Sequence, residues 1–327
     1  MLYVDNEGIT DPRINLAIEE HLLRNFQIEE PILLFYINEP SVIIGRNQNT
    51  IEEIDPDYVA RHNIHVVRRL SGGGAVYHDL GNLNFSFITP GKEGLHDFAR
   101  FTQPVIRVLR SLGVDAELRG RSDIFASGKK ISGNAQYTTG NRMFSHGTLL
   151  FDTNIEHMLK ALNPRQVQIE SKAVQSVRNF VTNIRELLPH DMTIYELKAA
   201  LLQGIFAGED VPQYVLTDED WVKIREISAN RYQLWDWNYG RSPRFNIQKS
   251  HRFPVGKIDV RIEVVEGHIQ NMKIYGDFFS RREIHDLEQE FIGVRYEREA
   301  IAERLLDINL TEFFGDLSKT EFLDLLY

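Results

Sequence analysis

Cysteine is absent from the 327-residue chain. That excludes a disulfide framework, thiolate zinc or iron–sulfur ligation, and any thioester or Cys–His mechanism. Long apolar runs are missing too: no stretch approaches the roughly 18 residues that a membrane span needs. The N-terminal Met1-Leu2-Tyr3-Val4-Asp5-Asn6-Glu7 carries acids where a secretory signal has a basic start. Positive charge is in short supply, 37 Lys plus Arg against 47 Asp plus Glu for a formal net charge of -10, so the bulk electrostatics disfavour a nucleic-acid or anionic-membrane partner. The expectation is a soluble cytoplasmic protein that takes neither partner. Its length predicts two domains, at roughly 100 to 200 residues each.

What is present reads as mixed secondary structure without regular alternation. Asp11 and Pro12 signal a helix start, and Ile14, Ala17, Ile18, His21 and Leu22 share its inner face to about Arg24. Ile32–Tyr36 and Val42–Ile44 read as strands joined by a turn, Asp55-Pro56 repeats the helix start, and a strand from His65 feeds a glycine-rich turn. Phe98, Phe101, Val105, Leu109 and Leu112 fall at helical spacing before a capping Gly113. Further strands are expected at 114–118, 123–126, 130–132 and 147–151, and helices at 196–206 and 218–227. The aromatic, turn-rich Trp235–Pro243 marks a boundary, followed by a hairpin around Glu266-Gly267 and three short helices. The fold class expected is α+β, with domains of residues 1–246 and 247–327.

Chemistry concentrates in two stretches. In Arg68-Arg69-Leu70-Ser71-Gly72-Gly73-Gly74-Ala75-Val76-Tyr77-His78-Asp79, three glycines permit close backbone approach and left-handed φ. Their N–H groups can cradle an anion, beside two arginines suited to carboxylate or phosphate. A glycine-rich hairpin with a solvated arginine pair accounts for the spacing equally well. The second stretch is Ser127-Gly128-Lys129-Lys130-Ile131-Ser132-Gly133-Asn134-Ala135-Gln136. Neighbouring side chains of an extended strand face opposite ways, so only one of its lysines can enter a shared site.

Common alternatives fail on spacing. A P-loop needs a glycine where Asp123 stands and a Ser or Thr where Lys130 stands. A dinucleotide fingerprint lacks its helix and acidic partner. His62 and His65 find no third metal ligand at recognisable spacing, and no G-x-S-x-G elbow supports a serine hydrolase. His78 and His146 lie beside the glycine-rich motifs and could orient a ligand or be structural.

Taken together and in order, Arg68–Asn82, Gly128–Gln136, His146-Gly147-Thr148-Leu149-Leu150, Ser176-Val177-Arg178 with Val181-Thr182-Asn183, and Trp235–Gly240 resemble the lipoate-protein ligase A family in its bacterial two-domain form. The resemblance implies a catalytic domain related to biotin ligases and a small accessory domain. It implies activation of lipoate by ATP with Mg²⁺ to lipoyl-adenylate, then transfer to a lysine of lipoyl domains, on 2-oxoacid dehydrogenase E2 subunits or a glycine-cleavage H-type protein, as part of lipoate salvage. No tightly bound redox cofactor is implied. Carried over position by position, Lys130 is the central catalytic lysine. Arg69, Ser71, Gly72, Gly73, Gly74, Ala75, Val76 and Tyr77 contact the adenylate and the lipoate channel. Asn82 and Asp123 assist with phosphate, Asp123 also with magnesium, and residues 171–183 cover the adenylate. The acyltransferases of the same superfamily, understood to work through a cysteine thioester, are closed to a chain with no cysteine.

Overall fold

A computed structural model describes the chain apart from residues 27–28, 49, 163–179, 240–246 and 266, and apart from the side chains of 51 and 52. It divides into two compact units: Met1–Ile43, Ile51–Arg68 and Val76–Asn238 form one, and Ile44–Thr50, Arg69–Ala75 and Tyr239–Tyr327 the other. The architecture is α+β, as expected.

The strands of the first unit are β1 (Leu2–Asp5), β2 (Ile32–Ile37), β3 (Ser41–Ile44), β4 (His65–Arg68), β5 (Val76–His78), β6 (Asn82–Pro90), β7 (Ala116–Arg119), β8 (Asp123–Ala126), β9 (Lys129–Ser132), β10 (Asn134–Thr139), β11 (Arg142–Leu150) and β12 (Gln213–Tyr214). Six of them make a mixed sheet in the order β10-β11-β6-β2-β1-β12, in which β1 runs parallel to both of its neighbours. Two smaller sheets have the orders β4-β3-β5 and β7-β8-β9. The two strands read on either side of Asn38-Glu39-Pro40 therefore enter different sheets, β2 the large one and β3 a small one. Wholly apolar runs such as Ile32–Ile37 carry no alternation to say which sheet they join.

Alternation sets the layers. Leu33 and Phe35 on β2 and Met143 and Leu149 on β11 face a core shared with Val105 and Leu109 of the helix Phe98–Ser111 and with Leu197 and Leu201 of the helix Ile194–Ile205. The opposite face meets the helix Pro12–Arg24, whose N-cap Asp11 accepts from the Arg13 N–H as its sequence predicts. Ala17, Ile18, His21 and Leu22 are buried as expected, and so are Asn15, Glu19 and Glu20, which an amphipathic reading would leave in water. Each has a polar partner. Asn15 donates to Asn38 (2.9 Å), Glu19 meets His146 (2.9 Å) and Glu20 pairs with Arg24 (2.8 Å).

His21 completes this set by bonding Asp220 at 2.8 Å. Burial alone would raise the Asp220 carboxyl. The Thr217 N–H, the Tyr214 and Thr217 hydroxyls and His21 all stabilise its charged form and bring it from 3.8 down to about 2. A lowered folded-state value means the stabilisation is complete above about pH 4 and is lost as pH falls toward 2. Asp220→Asn should therefore cost roughly 2 kcal/mol in urea unfolding at pH 7, with the deficit shrinking below pH 4. A deficit that stayed constant down to pH 3 would remove Asp220 ionisation from the account.

In the second unit β13 (Ile247–Phe253), β14 (Gly256–Val265) and β15 (His268–Gly276) form an antiparallel sheet. Ile258, Val260, Ile274, Phe278, Phe291 and Phe322 belong to its core. Among the described residues four helices follow the sheet, where the sequence predicts three: Ile284–Gln289, Arg298–Leu306, Thr311–Phe314 and Lys319–Leu326. Thr311–Phe314 is a single turn, too short to show a period.

Candidate active site

Lys130 stands on a hairpin built to aim it. Ser127 and Gly128 join β8 to β9 with φ of 50° and 76°, the left-handed pair that a tight hairpin turn needs. Opposite the turn the register slips: Phe125 pairs with Lys130 but Ile124 with Ser132, so Ile131 is the extra residue of a bulge. Ile131 is buried in the core, while the Lys130 ammonium lies 2.8 Å from the Asp123 carboxylate with both side chains about a third exposed, at 28% and 32%. A Cβ on Gly133 would stand 3.5 Å from that ammonium, so the glycine keeps space open beside it. The Lys130 main chain is held on its second side as well. Its N–H donates to the Phe180 carbonyl (2.8 Å) and its carbonyl accepts from the Thr182 N–H (3.2 Å). Lys129 instead lines a polar cleft with Thr153, Asn154, Thr182 and Glu186. The two lysines diverge, as strand geometry requires.

Within the expected covering segment, residues 171–179 lie outside the described residues, including Ser176-Val177-Arg178. The remainder is stitched to its surroundings: Val181 bridges Lys130, and Asn183 both accepts from the Thr153 N–H and donates to the Thr153 carbonyl, each at 3.0 Å.

The two adjacent arginines are drawn to different anchors. Arg68 donates through Nε to the Trp237 carbonyl (3.0 Å) and through Nη2 to the Asn238 carbonyl (3.3 Å). Its backbone N–H meets Asn238 Oδ1 (3.0 Å), and its carbonyl accepts from the Trp237 indole (2.8 Å). The Trp235–Asn238 segment is thus a clasp on Arg68; Gly240 and the rest of the expected junction to Pro243 lie outside the described residues. Arg69, 5% exposed, donates to Ser71 Oγ (3.0 Å) and to the Gly72 and Gly74 carbonyls (2.6 and 2.8 Å). It fastens the glycine turn from within, and Gly73 takes the left-handed φ of 90° that the turn requires.

Beyond the turn, Ala75 and Val76 are half-buried and Tyr77 is buried, with burial pushing its hydroxyl well above the usual tyrosine range. On β5, Val76 pairs with Ile43 and Tyr77 with Val42. Asp79 accepts from the Gly81 and Asn154 N–H groups (2.9 and 2.8 Å), closing the turn into β6; burial raises its carboxyl despite these bonds. Asn82 is buried and donates to Asn84 Oδ1 (3.0 Å), but its own Oδ1 has no partner among the described residues. His78 and His146 are both buried, bonded to Asn38 (3.0 Å) and to Glu19 (2.9 Å).

Direct contact therefore joins Lys130 to Asp123, and Arg69 to Ser71, Gly72 and Gly74. Sequence reasoning passes over Gly45-Arg46-Asn47-Gln48. The Gly45 N–H donates to Gln48 Oε1 (2.8 Å), the Arg46 N–H donates to the Ser71 carbonyl (2.9 Å), and a Cβ on Gly45 would overlap the Gly73 carbonyl. A small residue followed by three polar ones, directly after an apolar strand, was the available signal.

Residues 11–206 match the model of the lipoyl protein ligase A/B catalytic domain. The chain belongs to that family. Residues 242–326 match the bacterial lipoate protein ligase C-terminus. The chain is 54% identical to the lipoate-protein ligase LplJ of Bacillus subtilis over 331 residues, covering 100% of both. Among solved structures it resembles a bi-partite lipoate protein ligase studied with its E2 lipoyl domain from Thermoplasma acidophilum, at 30% identity and a TM-score of 0.67, covering 75% of this chain and 98% of the other. A lipoate-protein ligase A bound with ATP is similar at 32% identity and a TM-score of 0.61, covering 73% of this chain and 97% of the other. The chain is accordingly an enzyme of the lipoate-protein ligase class. No described helix is long and apolar enough to cross a membrane.

Proposed function

We propose that this enzyme activates lipoate with ATP to lipoyl-AMP and pyrophosphate, then passes the lipoyl group to a lysine amine of lipoyl-carrier domains in lipoate salvage in the cytoplasm. The observation that carries the reading is the Lys130 ammonium, set on a bulged hairpin beside one carboxylate and an open glycine position. Bringing a carboxylate to the α-phosphorus sets one anion against another, so a fixed cation between them lowers the barrier. The same ammonium then polarises the acyl carbonyl and steadies the departing AMP while the amine attacks. Residues 1–246 serve as the catalytic domain and 247–327 as the accessory domain.

Ser71 to Tyr77 supply backbone N–H groups and wall to lipoate and adenylate, and Arg69 gives the turn its shape and positive charge. Asn82 lends its unpaired buried oxygen to a donor on the nucleotide. No three carboxylates or histidines cluster as a metal cage among the described residues, and Asp123 alone suits Mg²⁺, which binds through one or two carboxylates plus substrate phosphates. Magnesium there would neutralise polyphosphate charge. The acceptors are the lipoyl domains of 2-oxoacid dehydrogenase E2 subunits or a glycine-cleavage H-type protein. That a ligase of this family was studied with its E2 lipoyl domain supports the first class.

Lipoate and Mg-ATP without any acceptor should leave stoichiometric lipoyl-AMP on the protein and pyrophosphate in solution, detected by mass spectrometry and phosphate release. If no AMP adduct forms and label moves only from an acylated carrier protein, the ligase reading fails.

A further inference from the structure

The glycine turn does not stand alone: Arg69–Ala75 and Ile44–Thr50 belong to the same compact unit as the C-terminal sheet and helices. Four contacts within that unit hold these segments. Gly72 lies so close to the Phe278 carbonyl that no Cβ fits there, and the ring of Phe279 stands 3.7 Å from where a Gly73 Cβ would be. The Gly276 N–H donates to the Asn47 carbonyl at 2.6 Å. Glu283 forms an ion pair with Arg46, whose backbone N–H holds the Ser71 carbonyl (2.9 Å) and whose Nη1 reaches the Leu70 carbonyl (3.3 Å). Phe278 itself is fully buried against Phe314, ring centroids 4.9 Å apart, so the connection after β15 is anchored in the core of its unit.

We infer that the segment Gly276–Glu283 is a bracket for the glycine-rich turn, with Phe278, Phe279 and Glu283 as positioning residues for substrate binding and not catalytic groups. The inference rests on the reading above that this turn meets the substrate. Consecutive glycines lose the most backbone freedom when a loop is ordered, so a free triple-glycine turn would bind weakly. Seating it on the C-terminal core and tying it through Arg46 removes that freedom before substrate arrives. The C-terminal module then acts on substrate through the backbone of the turn that it holds.

The test is a charge exchange in the full-length protein. Glu283 is half exposed, so Glu283→Arg is compatible with folding, which a thermal melt verifies. Glu283→Arg should raise amide hydrogen exchange at Gly72–Ala75, leave β2 protected, and weaken lipoate binding in calorimetry by about fivefold. Adding Arg46→Glu should restore the exchange rates and bring affinity back to within about twofold of the parent. Unchanged exchange in Glu283→Arg, or a double variant no better than the single one, overturns the bracket. Gly73→Val separates this inference from the reading beneath it: normal lipoate affinity in that variant means the turn itself does not meet substrate. Lost affinity there with normal affinity in Glu283→Arg means only the bracket is wrong.

Discussion

Lys130→Ala is expected to slow both half-reactions, adenylate synthesis and transfer from supplied lipoyl-AMP, by roughly 10² to 10³ or more. The charge is needed where two anions meet and again where the acyl carbonyl is attacked, so neither step escapes. Folding should survive, because a partly exposed pair such as Lys130–Asp123 contributes only about 0 to 1 kcal/mol. Lys129→Ala is the internal control, since its side chain lines a different cleft with Thr153 and Glu186. Rates for the two half-reactions should fall together in Lys130→Ala and stay within a few-fold in Lys129→Ala. Equal damage from the two substitutions would contradict the strand geometry on which the assignment depends.

Gly45→Ala and Gly73→Val should weaken substrate binding more than they harm the fold. The methyl group added by Gly45→Ala has no room beside the Gly73 carbonyl, so the turn must shift as a whole. The side chain added by Gly73→Val meets the Arg69 guanidinium at 3.0 Å and is β-branched on a φ of 90°. Strain of this kind costs about 1 to 3 kcal/mol and falls on the turn. Lipoate and ATP affinity should drop by at least tenfold, roughly 1.4 kcal/mol, with a melting temperature lowered by only a few degrees. Gly140→Val is the matching control: it also has a positive φ, 56°, but nothing lies within 4 Å of its Cβ, so it should lose stability without losing affinity. Normal affinity in Gly45→Ala would detach the turn from substrate recognition.

The parts of the molecule written in local signals were legible. Asp11-Pro12, the period through Phe98–Leu109 and the Ser127-Gly128 turn each have a short-range physical cause, and the divergence of Lys129 from Lys130 follows from the pleat alone. Other features were not, because their causes are distant in the chain. The polar face of the helix Pro12–Arg24 is buried because His146 and Asp220, more than a hundred residues away, supply its partners. The separate tasks of Arg68 and Arg69 become visible only when Trp237 and Asn238 close on one and the turn carbonyls on the other. The packing of Gly72 on Phe278 joins positions some two hundred residues apart, a contact that no spacing rule reports.

The most direct measurement of the central claim is the intact mass of a purified lipoyl domain after incubation with this protein, lipoate and Mg-ATP. The domain should gain one lipoyl group on a single lysine, dependent on ATP and lost with Lys130→Ala. An unmodified domain, or modification that proceeds without ATP, would contradict it.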